Sequence, residues 1–282
     1  MNDLISQLKS RFYNGNIIDK LIFINIAIFV FTLLLNTFGW LFFSESNILF
    51  SFFALPTDFD SVLLKPWTLI SYGFLHSGFI HLIFNLIFLY YIGNLFLEYF
   101  IPKKLLSFYL YGTLIGGICF IASYSNFPRL QTQQSSLVGA SSAIMALLVG
   151  LATYMPNYQL KLRFIGFVKL WVIAFVFLVF DLIQIPNGNA GGHIAHLGGA
   201  LFGYLAMSTH RSIHFINPFK NILKRSSPLK TSYRAKTKKN SSPKTDSTTQ
   251  QKVNAILEKI SKSGYESLSK AEKEYLFQQG KK

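Results

Sequence analysis

Residues 139–155 read GASSAIMALLVGLATYM, and Pro156 ends the run. Ser141 opens an apolar stretch with helical character, where hydrocarbon is expected. From Ser141 to Met155 is 15 residues. At about 1.5 Å per residue this spans roughly 22 Å, short of the roughly 30 Å hydrocarbon core of a bilayer. If the far end lies flush with one surface, Ser141 lies below the other. A second stretch behaves alike: residues 195–203 read AHLGGALFG, with His196 inside an apolar run. Polar side chains at such depth are costly unless they pair or line a wet cavity.

Working outward, the chain is 51% hydrophobic and only 14% charged, and apolar runs of about 20 residues recur. They cover 21–43, 81–100, 105–124, 141–155, 164–185 and 193–208. This predicts six membrane-spanning helices and an all-α membrane protein. The first run is too long for a cleaved signal, and residues 36–40 make a poor small-residue cleavage site. Of 27 basic and 12 acidic residues, 17 and 5 lie from Arg211 onward, so the tail carries +12 and the first 210 residues +3. Lys9, Arg11 and Lys20 precede the first run, Lys103 and Lys104 follow the second, and Lys161 and Arg163 follow the fourth. The opposite loops carry only Lys65 and Arg129. Basic residues mark the cytoplasmic side, so both ends are expected there. The second, fourth and sixth helices then begin at the outer face, which puts His81, Asn85, Ser141 and His196 in one leaflet.

Chemistry follows from that grouping. A serine hydroxyl becomes an effective nucleophile when a histidine within hydrogen-bond reach takes its proton. A tetrahedral intermediate needs donors aimed at its oxyanion. Asn85 and His81 offer side-chain donors, and the Ser141 amide is free at a helix start. Asp181 is the one acid near enough in sequence logic to orient His196; a dyad without a carboxylate is the simpler expectation. Taken singly, each residue also has a structural reading. Gly-Ala-Ser-Ser suits close helix packing, and Asn85 or His81 could bond to a neighbouring helix. Gly199 and Gly203 form a small-residue face that would let the sixth helix approach the fourth. His193 lies one turn before His196 and reads as a polar residue in the wet outer mouth near Asp181. His76, His81, His193 and His196 are metal-ligating types, but no His-Glu-x-x-His pattern or carboxylate cluster accompanies them, so no metal and no cofactor are expected. Cys119 is the sole cysteine and excludes an internal disulfide.

Together the motifs resemble the rhomboid family of intramembrane serine proteases. Gly139-Ala140-Ser141-Ser142 matches its Gly-x-Ser-x, His196/Gly199/Gly203 its His-x-x-Gly-x-x-x-Gly, and His76/His81/Asn85 its His-x-x-x-x-His-x-x-x-Asn. The resemblance covers about residues 15–208. It implies a six-helix rhomboid-like bundle that cleaves transmembrane protein substrates. It implies Ser141 as nucleophile, His196 as general base, and His81, Asn85 and the Ser141 amide as the oxyanion hole. His76 would support the mouth, with Gly139, Gly199 and Gly203 as supporting positions. Two positions depart: Ser142 stands where many members have Gly, and Trp67-Thr68 where many have Trp-Arg, which bears on the first outer loop. That loop, about residues 42–64, reads as an aromatic hairpin lying in the membrane plane.

The expected organisation is a cytoplasmic segment (1–16), a membrane domain (17–210), a disordered basic linker (211–251) and a short two-helix module (252–282). Ser269-Lys270-Ala271-Glu272 is a capping box for the second of those helices. The module resembles one found on some bacterial members, which implies a bacterial inner membrane. The tail is expected to meet anionic lipid headgroups rather than nucleic acid. Two other classes stand against the protease: a non-catalytic binder or chaperone of membrane proteins, which would usually lack the serine or histidine, and a transporter or channel, which would carry polar residues through the full depth.

Overall fold

A computed structural model describes residues 2–43, 48–163, 165–208 and 247–279. They belong to two compact units, parted near residue 216. The first unit opens with α1 (Asn2–Asn14) and α2 (Ile17–Phe43). Asn16 starts α2 by accepting the Ile18 and Asp19 amides on its side-chain oxygen, while its own amide bonds Asp19. The helix thus begins four residues before the apolar run. The outer loop holds α3 (Ile48–Phe53), β1 (Leu55–Pro56), α4 (Phe59–Leu64) and α5 (Thr68–Ser71). Then come α6 (Phe79–Tyr99), α7 (Pro102–Asn126), α8 (Pro128–Gln131), β2 (Ser136–Leu137) and α9 (Ser141–Tyr154). A hairpin of β3 (Gln159–Leu162) and β4 (Gly166–Lys169) leads to α10 (Leu170–Gln184) and α11 (Ala190–Ser208). The expected fifth span is therefore shorter than its apolar run, because Gly166–Lys169 pairs as a strand with Gln159–Leu162 instead of joining the helix.

Helix α9 is the axis of the unit. Its side chains from Ser142 to Ala152 are all buried, against α6, α7, α10 and α11. A 14-residue helix is about 21 Å long, so protein rather than lipid surrounds it along its length. Among the described residues, four helices (α2, α6, α7 and α10) are long and apolar enough to cross a membrane by length and composition. Their exposed side chains include Phe31, Phe84, Phe175 and Phe180, an apolar exterior that a lipid phase can cover. The expected count of six rests additionally on α9, which is short, and on α11, which is rich in glycine and alanine.

Close approach at the centre depends on missing side chains. A Cβ at Gly199 would lie 2.1 Å from the Ser142 carbonyl oxygen, and one at Gly203 2.3 Å from that of Ala146. Both are backbone atoms with no room to move. Ser142 Oγ sits between two neighbours, 2.8 Å from the Gly112 carbonyl oxygen on α7 and 3.0 Å from that of Ala195 on α11. Its one proton is shared between them, which ties three helices at one level.

The outer loop is tied to its own backbone. Lys65 Nζ donates to the Ser51 carbonyl at 2.8 Å, Trp67 Nε1 to that of Phe52 at 2.8 Å, and Ser71 Oγ to that of Phe53 at 2.7 Å. These three bonds make the internal contacts that the Trp67-Thr68 departure put in question. The hairpin expected here is two short helices, with residues 44–47 outside the described set.

The second unit contains α12 (Ser247–Ser263) and α13 (Lys270–Gln279). Helix α12 takes in residues 247–251, which were expected in the linker; the remainder of that linker up to residue 246 lies outside the described residues. The capping box forms: the Ser269 amide donates to Glu272 at 2.7 Å, and the Glu272 amide to Ser269 Oγ at 3.3 Å. The Ser269 amide, the Lys259 ammonium and the Ser269 hydroxyl hold the Glu272 carboxyl down to about 2. Ile256 and Leu268 are its buried apolar residues among those described, a small core for a small unit.

Candidate active site

The backbone reaches Ser141 by a constrained path. Leu55 pairs with Leu137 across β1 and β2, and the Gly139 amide donates to the Tyr72 carbonyl at 3.0 Å. Gly139 then adopts φ +126°, a conformation glycine reaches readily. A Cβ there would also meet the His81 ring at 2.8 Å. Two residues later Ser141 is the first residue of α9, where amides have no carbonyl one turn behind them.

His196 is the seventh residue of α11, a turn deeper than expected, since the helix begins at Ala190 rather than His193. Its Nε2 lies 2.6 Å from Ser141 Oγ. On the other side of the ring, Nδ1 lies 2.8 Å from Asp181 Oδ1. The expectation of a serine–histidine pair with no carboxylate is thereby corrected: α10 turns Asp181 inward, where it is 3% exposed and borders α11. The same Oδ1 is 2.8 Å from His193 Nδ1. Asp181 Oδ1 is thus placed to accept from both Nδ1 atoms, with His196 Nε2 left facing Ser141 Oγ. His193, which shares a helix face with His196, is within hydrogen-bond distance of Asp181 as well.

Of the expected oxyanion donors, His81 lies in the first turn of α6, its ring against Gly139 and its Nδ1 3.1 Å from Ser77 Oγ. Asn85, one turn on, is buried and donates from Nδ2 to the His81 carbonyl at 2.9 Å. That bond uses one of the two Nδ2 hydrogens, and the other remains to donate to a ligand. His76 is not at the mouth but 3% exposed, with both ring nitrogens unbonded and its ring centroid 5.2 Å from that of His81. The two rings meet edge to face. A cavity of about 290 Å³ opens over Ser141, lined by His81, Asn85 and His196 and otherwise mainly by apolar residues such as Phe88, Met145 and Phe177. Phe88 and Phe177 meet edge to face at 5.2 Å.

Asp181, His193 and His196 offer ligand atoms within 4.8 Å of one another, the donor types of a divalent-cation site.

A serine hydroxyl, an imidazole, a carboxylate and hydrogen-bond donors around an apolar slot are the kinds of group that acyl transfer uses. The family model described as Rhomboid domain matches residues 64–212. The chain belongs to the rhomboid family. RHOMBOID-like protein 12, mitochondrial, of Arabidopsis thaliana is 26% identical to this rhomboid over 187 residues, which cover 62% of this chain and 55% of that protein. The chain thus spans about half the length of that relative. Residues 244–282 match a family of unknown function (DUF6576). With its rhomboid domain and four membrane-length apolar helices, the chain is an integral membrane protein.

Sequence reasoning missed the tie made by Ser142, and with it Gly116, where a Cβ would fall 1.9 Å from Ser142 Oγ. No periodic signal marks either. Asp181 did carry one: an acid inside an apolar run is expected to have a partner, and two histidines follow 12 and 15 residues later.

Proposed function

We propose that this rhomboid is a serine endopeptidase that hydrolyses peptide bonds in or near transmembrane segments of membrane proteins. The observation that carries the reading is the 2.6 Å approach of His196 Nε2 to Ser141 Oγ at the floor of an apolar cavity. Oγ attacks the scissile carbonyl carbon while its proton passes to Nε2. The carbonyl electron pair moves onto oxygen, where the Ser141 amide, His81 and Asn85 are the available donors. The C–N bond then breaks and His196 returns the proton to the leaving amine. Water, activated by the same imidazole, releases the acyl group from Ser141. A peptide bond inside a helix is shielded by its neighbours, so the substrate unwinds locally. Glycine, proline and small polar residues near the cut favour that.

The basic clusters before α2, after α6 and after α9 support a topology with both ends in the cytoplasm of a bacterial-type inner membrane. Six crossings then put the site in the outer leaflet, and the basic tail beside anionic headgroups. The test is cleavage of a model transmembrane substrate by purified protein. Wild type cuts it and Ser141→Ala does not; equal cleavage by the variant removes Ser141 as nucleophile.

A further inference from the structure

We propose that Asp181 is a positioning residue that orients the His196 ring of the Ser141–His196 pair, with His193 as a second clamp on the same carboxylate. The inference rests on the serine-protease reading of the site. Three observations meet at one oxygen. His196 Nδ1 and His193 Nδ1 each lie 2.8 Å from Asp181 Oδ1, and Asp181 is 3% exposed. Asp181 Oδ2 is buried with no hydrogen-bond partner.

The geometry sets the tautomer first. An imidazole held at Nδ1 by a carboxylate has its proton there, and the lone pair of Nε2 faces Ser141. Without the acid, either nitrogen of His196 could carry the proton, and the wrong form is no base towards Oγ. The second consequence is electrostatic. A buried carboxylate with one oxygen unbonded is under-compensated in the resting site. When Ser141 gives its proton to Nε2, His196 becomes a cation against that carboxylate. The pairing is therefore stronger in the transition state than in the ground state, which is the condition for lowering a barrier. Asp181 takes up no proton in this step; the proton moves only between Ser141, His196 and the leaving amine.

His193 holds the acid in place. It sits one turn before His196 on α11, and its ring packs against Phe180, the neighbour of Asp181 on α10. Removing it leaves the Asp181–His196 bond intact but loosens the carboxylate.

The experiment measures kcat and KM on a transmembrane substrate for wild type, Asp181→Asn, Asp181→Glu, His193→Ala and Ser141→Ala, with thermal unfolding in detergent for each. In soluble serine proteases an amide in place of the acid costs about 10⁴-fold in kcat. Asp181→Asn is expected to lose about 10²–10⁴-fold in kcat with KM little changed, and Asp181→Glu to recover part of it. His193→Ala should lose less than Asp181→Asn. If Asp181→Asn does not fold, Asp181→Glu and His193→Ala carry the test: wild-type kcat in both overturns the inference. Asp181→Asn within two-fold of wild type likewise overturns it, while Ser141→Ala inactivity leaves the protease reading standing. Activity in Ser141→Ala would remove the reading itself.

Discussion

Gly139 is where one atom decides the site. Its φ of +126° lies in a region L side chains rarely adopt, and a Cβ would press 2.8 Å from the His81 ring. Gly139→Ala faces both penalties: backbone strain of about 1–3 kcal/mol, and displacement of a ring that borders Ser141. A misplacement of about 1 Å at a reacting centre can cost roughly 10²-fold in rate. The expected outcome is a kcat loss of that order with a lower melting temperature, read by kinetics and thermal unfolding; wild-type kcat would show that His81 tolerates the shift. Serine and histidine in apolar runs were legible because polar groups at membrane depth need partners. Asp181 was visible too, but its bond to His196 depends on the rotation of α10, which residue order does not encode. Ser142 lies beside a serine of the same type, and only packing shows which of the two faces α7 and α11.

At the scale of elements, α9 and α11 meet backbone to backbone. Gly203 lies seven residues beyond His196, about 10 Å along the helix, yet it sets how near His196 comes to Ser141. Gly203→Leu would drive a side chain into the Ala146 carbonyl, 2.3 Å from the position of Cβ. Overpacking costs about 1–3 kcal/mol and sometimes more. The variant is expected to unfold at lower temperature and to lose turnover together with stability; wild-type values in both would contradict the packing account. The six apolar runs were legible by length. The strand pair Leu55–Leu137 and the 159–169 hairpin were not, because two- and four-residue strands carry too little alternation to stand out.

The first unit, taken whole, is a ring of apolar helices around a short, buried one. Exposed apolar surface lies on α2, α6 and α10, and small residues lie where α9 and α11 touch. Inside that apolar exterior, His81 and Asn85 of α6, Ser141 of α9 and His196 of α11 line one cavity. The central claim is that Ser141 is a nucleophile activated by His196. A fluorophosphonate probe, which forms a bond to an activated serine, tests it on the intact protein in detergent or vesicles. Mass spectrometry is expected to find the adduct on Ser141 in wild type and no adduct in His196→Ala. An unlabelled Ser141 in folded wild type, or equal labelling in His196→Ala, would contradict the account.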